Sequence, residues 1–329
     1  MPGANVSWPI SLTRLPQWFM GQMGVPGSDV ELGLRSHSIG SVFYVDPNHL
    51  DGSDANDGTN PDHPLLTVAE AITRCEAHHG DTIAVMANGG YQFANSADGY
   101  QTTIAEEVTL NVAGVRLVGI APAGTVGVVW EPVTAAGLGT CITVTAVDCL
   151  IEGFTFQGGT PGGRAIYAEW NGTTTFADNV IVRHCMFDPD IDIGIELEFV
   201  YFADIHDCWF QQCDTYGIYT DAAGSASAYC SIHDNWFQDA AAAMSIAEAD
   251  SFAIFHNYIF NTTAQAAGAA ANVGINTGSG GHNIVFDNYF SCLLPVPATG
   301  DWDNMNSGDS TDAWVGNHCM NGLAVTIPT

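Results

Sequence analysis

Apolar and polar positions in this chain alternate in short runs that repeat. The run Ile205-His206-Asp207-Cys208-Trp209-Phe210 returns almost unchanged as Ile232-His233-Asp234-Asn235-Trp236-Phe237. Written as aliphatic-x-x-Asn/Cys-x-Phe, the pattern also covers Val182 to Phe187, Ile254 to Ile259 and Val285 to Phe290, with looser copies at Val115 to Ile120, Ile151 to Phe156 and Trp314 to Cys319. The fourth position then falls at Val118, Phe154, Cys185, Cys208, Asn235, Asn257, Asn288 and Asn317, at intervals from 22 residues (Asn235 to Asn257) to 36 (Val118 to Phe154). A recurrence of that length with variable insertions predicts a solenoid. Each copy is preceded by a second short apolar run, as in Ala165-Ile166-Tyr167, Gly194-Ile195-Glu196-Leu197, Gly217-Ile218-Tyr219, Met244-Ser245-Ile246 and Val273-Gly274-Ile275. Runs so short and so rich in β-branched and aromatic residues predict strands, since helices need ten or more residues.

Stacking one coil on the next places Phe156, Phe187, Phe210, Phe237 and Phe290 in an internal column, with Ile259 in the remaining place. It also aligns Asn235, Asn257, Asn288 and Asn317 at a bend, where each buried amide needs partners in the coils above and below. Cys185 and Cys208 take the same position as small apolar substitutes. This pattern resembles the right-handed parallel β-helix of the pectate-lyase-like superfamily over roughly residues 42 to 322. The resemblance implies an all-β, single-stranded parallel solenoid. It says little about activity, because lyases, hydrolases, adhesins and viral spikes share the coil.

The ends break the pattern and divide the chain. Residues 1–40 carry Trp8, Trp18 and Phe19 among Pro and Gly, an apolar arm expected either to fold back on the first coil or to dock on another chain. Residues 41–102 read as a cap: a strand (Ser41 to Val45), a loop dense in Asp and Gly, a helix opening at Pro64 to Ile72 with Thr67 and Glu70 at capping-box spacing and ending by Gly80, and a strand from Asp81 to Met86. Such a cap hides core side chains and strand edges. It resembles the N-terminal caps of many β-helix proteins, secreted polysaccharide enzymes and bacteriophage virion proteins among them. Residues 103–322 form the coil body and 323–329 a short tail.

Charge narrows the function. The chain has 36 acidic side chains against six arginines and no lysine, a formal net charge of -30, and no arginine follows Arg183. Nucleic acid and anionic membrane surfaces are thereby excluded as partners. Nothing in the sequence is long and apolar enough to span a bilayer. Nine cysteines without a CxxC pair, and a Met1 to Met20 segment lacking the continuous apolar core of a signal peptide, point to synthesis in a reducing cytoplasm.

Candidate chemistry lies in three places. Asp51, Asp54 and Asp57 in the cap loop offer calcium ligands, although Asp and Gly are equally what a tight loop requires. The position between the Asn and Phe columns, which strand alternation turns outward, holds Met186, Trp209, Trp236, Tyr258, Tyr289 and His318. A row of that kind is either a sugar-stacking platform or a face covered by a partner, and its length favours a homo-oligomer, with the stripe favouring a trimer. The position before the Asn column holds His184, Asp207, Asp234, His256 and Asp287, either a metal or proton-sharing group or a solvated corner. Lyases of the resembled superfamily pair a calcium-binding Asp group with a basic residue on the coil. Here the body offers only Arg116, Arg164 and Arg183, and the possible hydrolase acids Asp188, Asp190 and Asp192 also read as a turn. The sequence therefore predicts no catalytic residues, no required cofactor, and a structural virion protein held to a capsid or other virion protein by its N-terminal region. The alternative is a polysaccharide-binding or depolymerising phage spike, or a calcium-dependent polysaccharide lyase.

Overall fold

The computed structural model describes residues 40–86, 103–120, 128–132, 139–157, 163–170, 172, 176–189, 191–220, 226–240, 242–247, 249–261, 273–278, 281–292, 305–307 and 311–319. Residues 1–39, with Trp8, Trp18 and Phe19, lie outside them, as does the tail. The described strands form three parallel sheets of ten, nine and eight strands, here called A, B and C, and the chain visits them in turn once per coil. This is a parallel β-helix. Sheet A runs from Val42–Val45 to Ala313–Val315, sheet B from Thr103–Ala105 to His318–Cys319, and sheet C from Val108–Leu110 to Met305–Ser307.

Registers follow the repeat. In sheet A, Ile151, Val182, Ile205, Ile232, Ile254, Val285 and Trp314 stand above one another and are buried. In sheet B, Phe156, Phe187, Phe210, Phe237, Ile259 and Phe290 do the same. Phe187, Phe210 and Phe237 stack almost parallel, with centroids 4.5 and 4.6 Å apart. The rings fit because sheet C is thin where it faces them. A Cβ on Gly217 would lie 2.8 Å from the Phe237 ring and 2.6 Å from the Ala243 carbonyl of the next coil, so only glycine leaves room for phenylalanine opposite. One register differs from expectation: Leu117, not Val115, stacks on Ile151, and Val118 pairs with Glu152. The early coil lacks the Asn or Cys that marks the bend, so the alternation of Val115, Leu117 and Gly119 did not fix which apolar residue starts the strand.

Corners rather than strands carry the unusual backbone. Gly153, His184, Asp207, Asp234, His256, Asp287 and Gly316, each one residue before the marker, all have positive φ between +51° and +80°. The left-handed region is open to Gly and tolerated by Asn, Asp and His. That requirement accounts for the His and Asp column without any chemistry. At the next position the asparagines close the bend. Asn257 is fully buried, donates through Nδ2 to Ile232 O (2.9 Å) and Asn288 Oδ1 (3.0 Å), and accepts through Oδ1 from the backbone and side-chain amides of Asn235 (both 3.1 Å).

Helix α1 (Val68–Arg74) buries Val68, Ala71 and Ile72 against the first coils. Its N-terminal amides are met by three side chains: Thr67 Oγ1 accepts from Glu70 N, Asp54 from Thr67 N, and Glu106 from Val68 N and Ala69 N. Half of the capping box forms. Glu70 pairs with Arg74 (2.8 Å), because Asp54 already holds the Thr67 amide. The helix ends at Arg74, well before Gly80: Cys75 N bonds Ile72 O, and the buried Asp81 captures Glu76 N at 2.7 Å.

Cys75, Cys141, Cys149, Cys185, Cys208, Cys213 and Cys230 are free, and of these all but Cys75 are buried. Burial pushes the Cys149 and Cys230 thiols up to about 12, as inert core residues require. Among the described residues no helix is long and apolar enough to cross a membrane.

Candidate functional site

The outer face of sheet B is where the aromatic residues expected to point outward come together. Met186, Trp209, Trp236, Tyr258, Tyr289 and His318 stand in register on consecutive coils. Their surroundings are not uniform. Met186 and its neighbour Thr155 are buried, so the row does not begin as an exposed stripe, contrary to strand alternation alone. Trp209 and Tyr258 are half-buried, whereas Trp236 is 54% and Tyr289 40% exposed. Tyr258 braces Trp236 from one side, stacked at 5.1 Å, and Phe260 meets it edge-on at 5.8 Å.

Between Trp209 and Trp236 the surface opens into a depression of about 370 Å³. Its wall on the corner side is made by Asp207, Asp234 and Cys208, and on the far side by Gln238 and Phe260. The left-handed corner at Asp234 and the strand Trp236–Gln238 together produce this arrangement. Asp234 and Gln238 stand two residues before and two residues after Trp236, so one coil supplies acid, platform and amide in line. The repeat Trp209-Phe210-Gln211 and Trp236-Phe237-Gln238 carried the signal for Gln238, which attention to the aromatics alone passes over.

The two carboxylates are held by imidazoles. His206 Nδ1 lies 2.8 Å from Asp207 Oδ2, with His184 at 3.9 Å; His233 Nδ1 lies 2.8 Å from Asp234 Oδ2, with His256 at 3.7 Å. His233 also bonds Asp204 through Nε2 at 3.0 Å. The rings of His206, His233, Phe255 and Phe286 stack along the outer face of sheet A at 5.0, 4.7 and 4.9 Å. Burial lowers the His233 pKa, but the hydrogen bonds and charges of Asp204 and Asp234 outweigh it and raise the pKa above 6.5. A raised folded pKa means that the folded chain binds the proton more tightly than the unfolded chain. The resulting stability is complete below about pH 6.5 and is lost as pH rises through the folded value. Wild type is therefore expected to lose thermal stability, relative to His233→Gln, between pH 6.5 and the neutral-to-alkaline range. Parallel melting-temperature profiles for the two proteins count against the double carboxylate contact.

Among the described residues, the other candidates make local contacts in their own loops and strands. Asp54 accepts from Leu66 N, Thr67 N and Thr67 Oγ1, and Asp57 from Thr59 N and Oγ1, so both carboxylates close the loop, while Asp51 is exposed. Among the described residues no group of three or more His, Cys, Asp or Glu side chains is placed to hold a metal ion. On sheet C, Arg164 binds the buried Glu196 at 2.6 Å and lies over the Tyr167 ring, whose hydroxyl donates to Glu198. Burial and that carboxylate push the Tyr167 pKa up. Arg183 binds Glu152 at 3.0 Å. Asp188 and Asp192 flank the corner that joins Met186–Phe187 to Ile191–Leu197, and Asp190 lies outside the described residues.

A rhamnogalacturonan lyase has a similar structure, with a TM-score of 0.50 at 16% identity over 77% of this chain and 69% of that one. The fold is the pectate-lyase-like right-handed parallel β-helix. Two more distant β-helix neighbours are ORF18 of Geobacillus virus E2 (11% identity, TM-score 0.45, 88% of this chain and 58% of that one) and the pectin methylesterase PemA of Erwinia chrysanthemi (12%, 0.40, 88% and 92%). No protein-family model and no curated protein sequence matches the chain. At these identities the pectate-lyase-like likeness is one of fold, and the site must be argued from its own residues.

Proposed function

We propose that the chain is a non-enzymatic structural component of a virion, a decoration or fibre-like β-helix held to the particle through residues 1–40. The observation that carries this reading is the repeated internal order of the body. The phenylalanine column and asparagine ladder run through successive coils, each amide bonding the next, which makes a stiff stack of coils. Support also comes from two of the three arginines of the body. Arg164 and Arg183 are tied to Glu196 and Glu152, an arrangement that stiffens neighbouring coils rather than presenting a base beside a metal. The apolar Trp8, Trp18 and Phe19 supply the means of attachment, and burying each of three such rings is worth roughly 1.5 to 3 kcal/mol.

The full chain is expected to co-sediment with shells assembled from the major capsid protein of its own virus, and to release no unsaturated product from pectate, alginate or rhamnogalacturonan. Replacing Trp8, Trp18 and Phe19 together by alanine should abolish co-sedimentation and leave the β-sheet circular dichroism unchanged. Co-sedimentation that survives the triple substitution, or turnover of any of these polymers, overturns the proposal.

A further inference from the structure

We propose that the depression between Trp209 and Trp236 is a binding site for a neutral sugar ring, stacked on the open face of Trp236. The inference is independent of attachment through residues 1–40. An indole more than half exposed, yet fixed by Tyr258 stacked on it and Phe260 edge-on, is a rigid apolar platform in water. A pyranose presents the matching shape, an apolar face of C–H groups with hydroxyls around its edge. The edge finds partners on both sides: the Asp207 and Asp234 carboxylates along the corner and the Gln238 amide across the strand. The carboxylates are pre-aimed by His206 and His233, each at 2.8 Å, so their orientation is set before a ligand arrives. A volume of about 370 Å³ falls within the range of small-ligand sites.

Charge decides which sugar. Two carboxylates rim the depression, no lysine or arginine is among the described residues that line it, and the chain as a whole carries -30, so an uronate polymer is repelled and a neutral hexose or N-acetylhexosamine is admitted. The same charge disfavours a second copy of the chain, which would bring its own acidic surface against this rim. The length of the aromatic row led the sequence to a subunit contact; the depression and its polar rim fit a small hydroxylated ligand better.

The test uses the full chain, titrated with cellohexaose, maltohexaose and N-acetylchitohexaose as neutral probes and with hexagalacturonate as the anionic one, followed by tryptophan emission and calorimetry. At least one neutral probe should bind saturably and hexagalacturonate should not. Trp236→Ala should weaken the neutral probe about tenfold or more and Gln238→Ala severalfold, while Phe286→Ala, on the outer face of sheet A, leaves affinity unchanged. Failure of all neutral probes, binding that survives Trp236→Ala, or preference for hexagalacturonate overturns the site. So does a fall in solution mass on Trp236→Ala, which would make the row a contact between copies. Unchanged circular dichroism in both variants at sheet B separates lost binding from lost fold.

Discussion

Phe210→Ala is expected to cost about 4 kcal/mol of folding stability, the largest effect of any single substitution considered for this chain. The ring is fully buried, sandwiched between Phe187 at 4.5 Å and Phe237 at 4.6 Å with all three nearly parallel. Truncation removes the transfer free energy of a whole ring and leaves a void that the surroundings cannot fill. Across the coil the facing position is Gly194, whose added Cβ would lie only 2.9 Å from the ring, so no side chain waits there to move in. The two neighbouring rings are locked in the register of their own strands. Phe210→Leu should cost clearly less, because most of the volume is kept. Because each coil contacts chiefly its neighbours, the loss should appear as earlier local opening around this coil, visible in hydrogen exchange, as well as in the denaturant midpoint. A cost below 1 kcal/mol would falsify the packed column.

Asn257→Ala should follow at about 3 kcal/mol. The side chain has few apolar contacts to lose, so the effect is one of orphaned polar groups. Removing it strands the Asn235 backbone N–H and side-chain amide, both of which donate to Asn257 Oδ1, and the Ile232 carbonyl, which accepts from Nδ2. All of these lie in a dry interior. Asn257→Asp should rescue only part of the loss, since it keeps the acceptor but cannot donate to Ile232 O and Asn288 Oδ1. Position along the ladder grades the effect. Asn317 is only partly buried, so Asn317→Ala should be milder. Chemical denaturation of the three variants gives the comparison, and equal small losses at Asn257 and Asn317 would show that the ladder is ornamental.

A parallel β-helix is unusually legible because stacking sets each residue beside its own counterpart one repeat away. Any position with a fixed environment, such as the phenylalanine column or the asparagine bend, therefore appears in the sequence as the same residue type at the repeat interval. That is why the fold, the inner columns and the register of the row on sheet B could be read before any coordinates; the capping helix was read separately, from the spacing of Thr67 and Glu70. What failed to show was, within the coil, whatever has no counterpart one coil away, and, in the cap, contacts across its loop. The coil that holds Arg116–Ile120 lacks the bend asparagine, and its register slipped from Leu117 to Val115. Asp54 caps α1 across a loop twelve residues wide, a contact with Leu66 and Thr67 that no spacing rule anticipates, and its carboxylate looked free for calcium.

The sequence by itself determined the solenoid, its strand positions and its core, since these follow from local pattern repeated in register. Only the tertiary structure decided which outward residues meet water and which do not. Met186 and Trp236 occupy the same place in the repeat, yet one is buried and the other more than half exposed. It also decided that the His and Asp column answers a left-handed backbone, because φ belongs to the folded corner and not to the residue type. The depression beside Trp236 is likewise tertiary: it exists only where two coils, each contributing an indole and a corner carboxylate, are laid side by side.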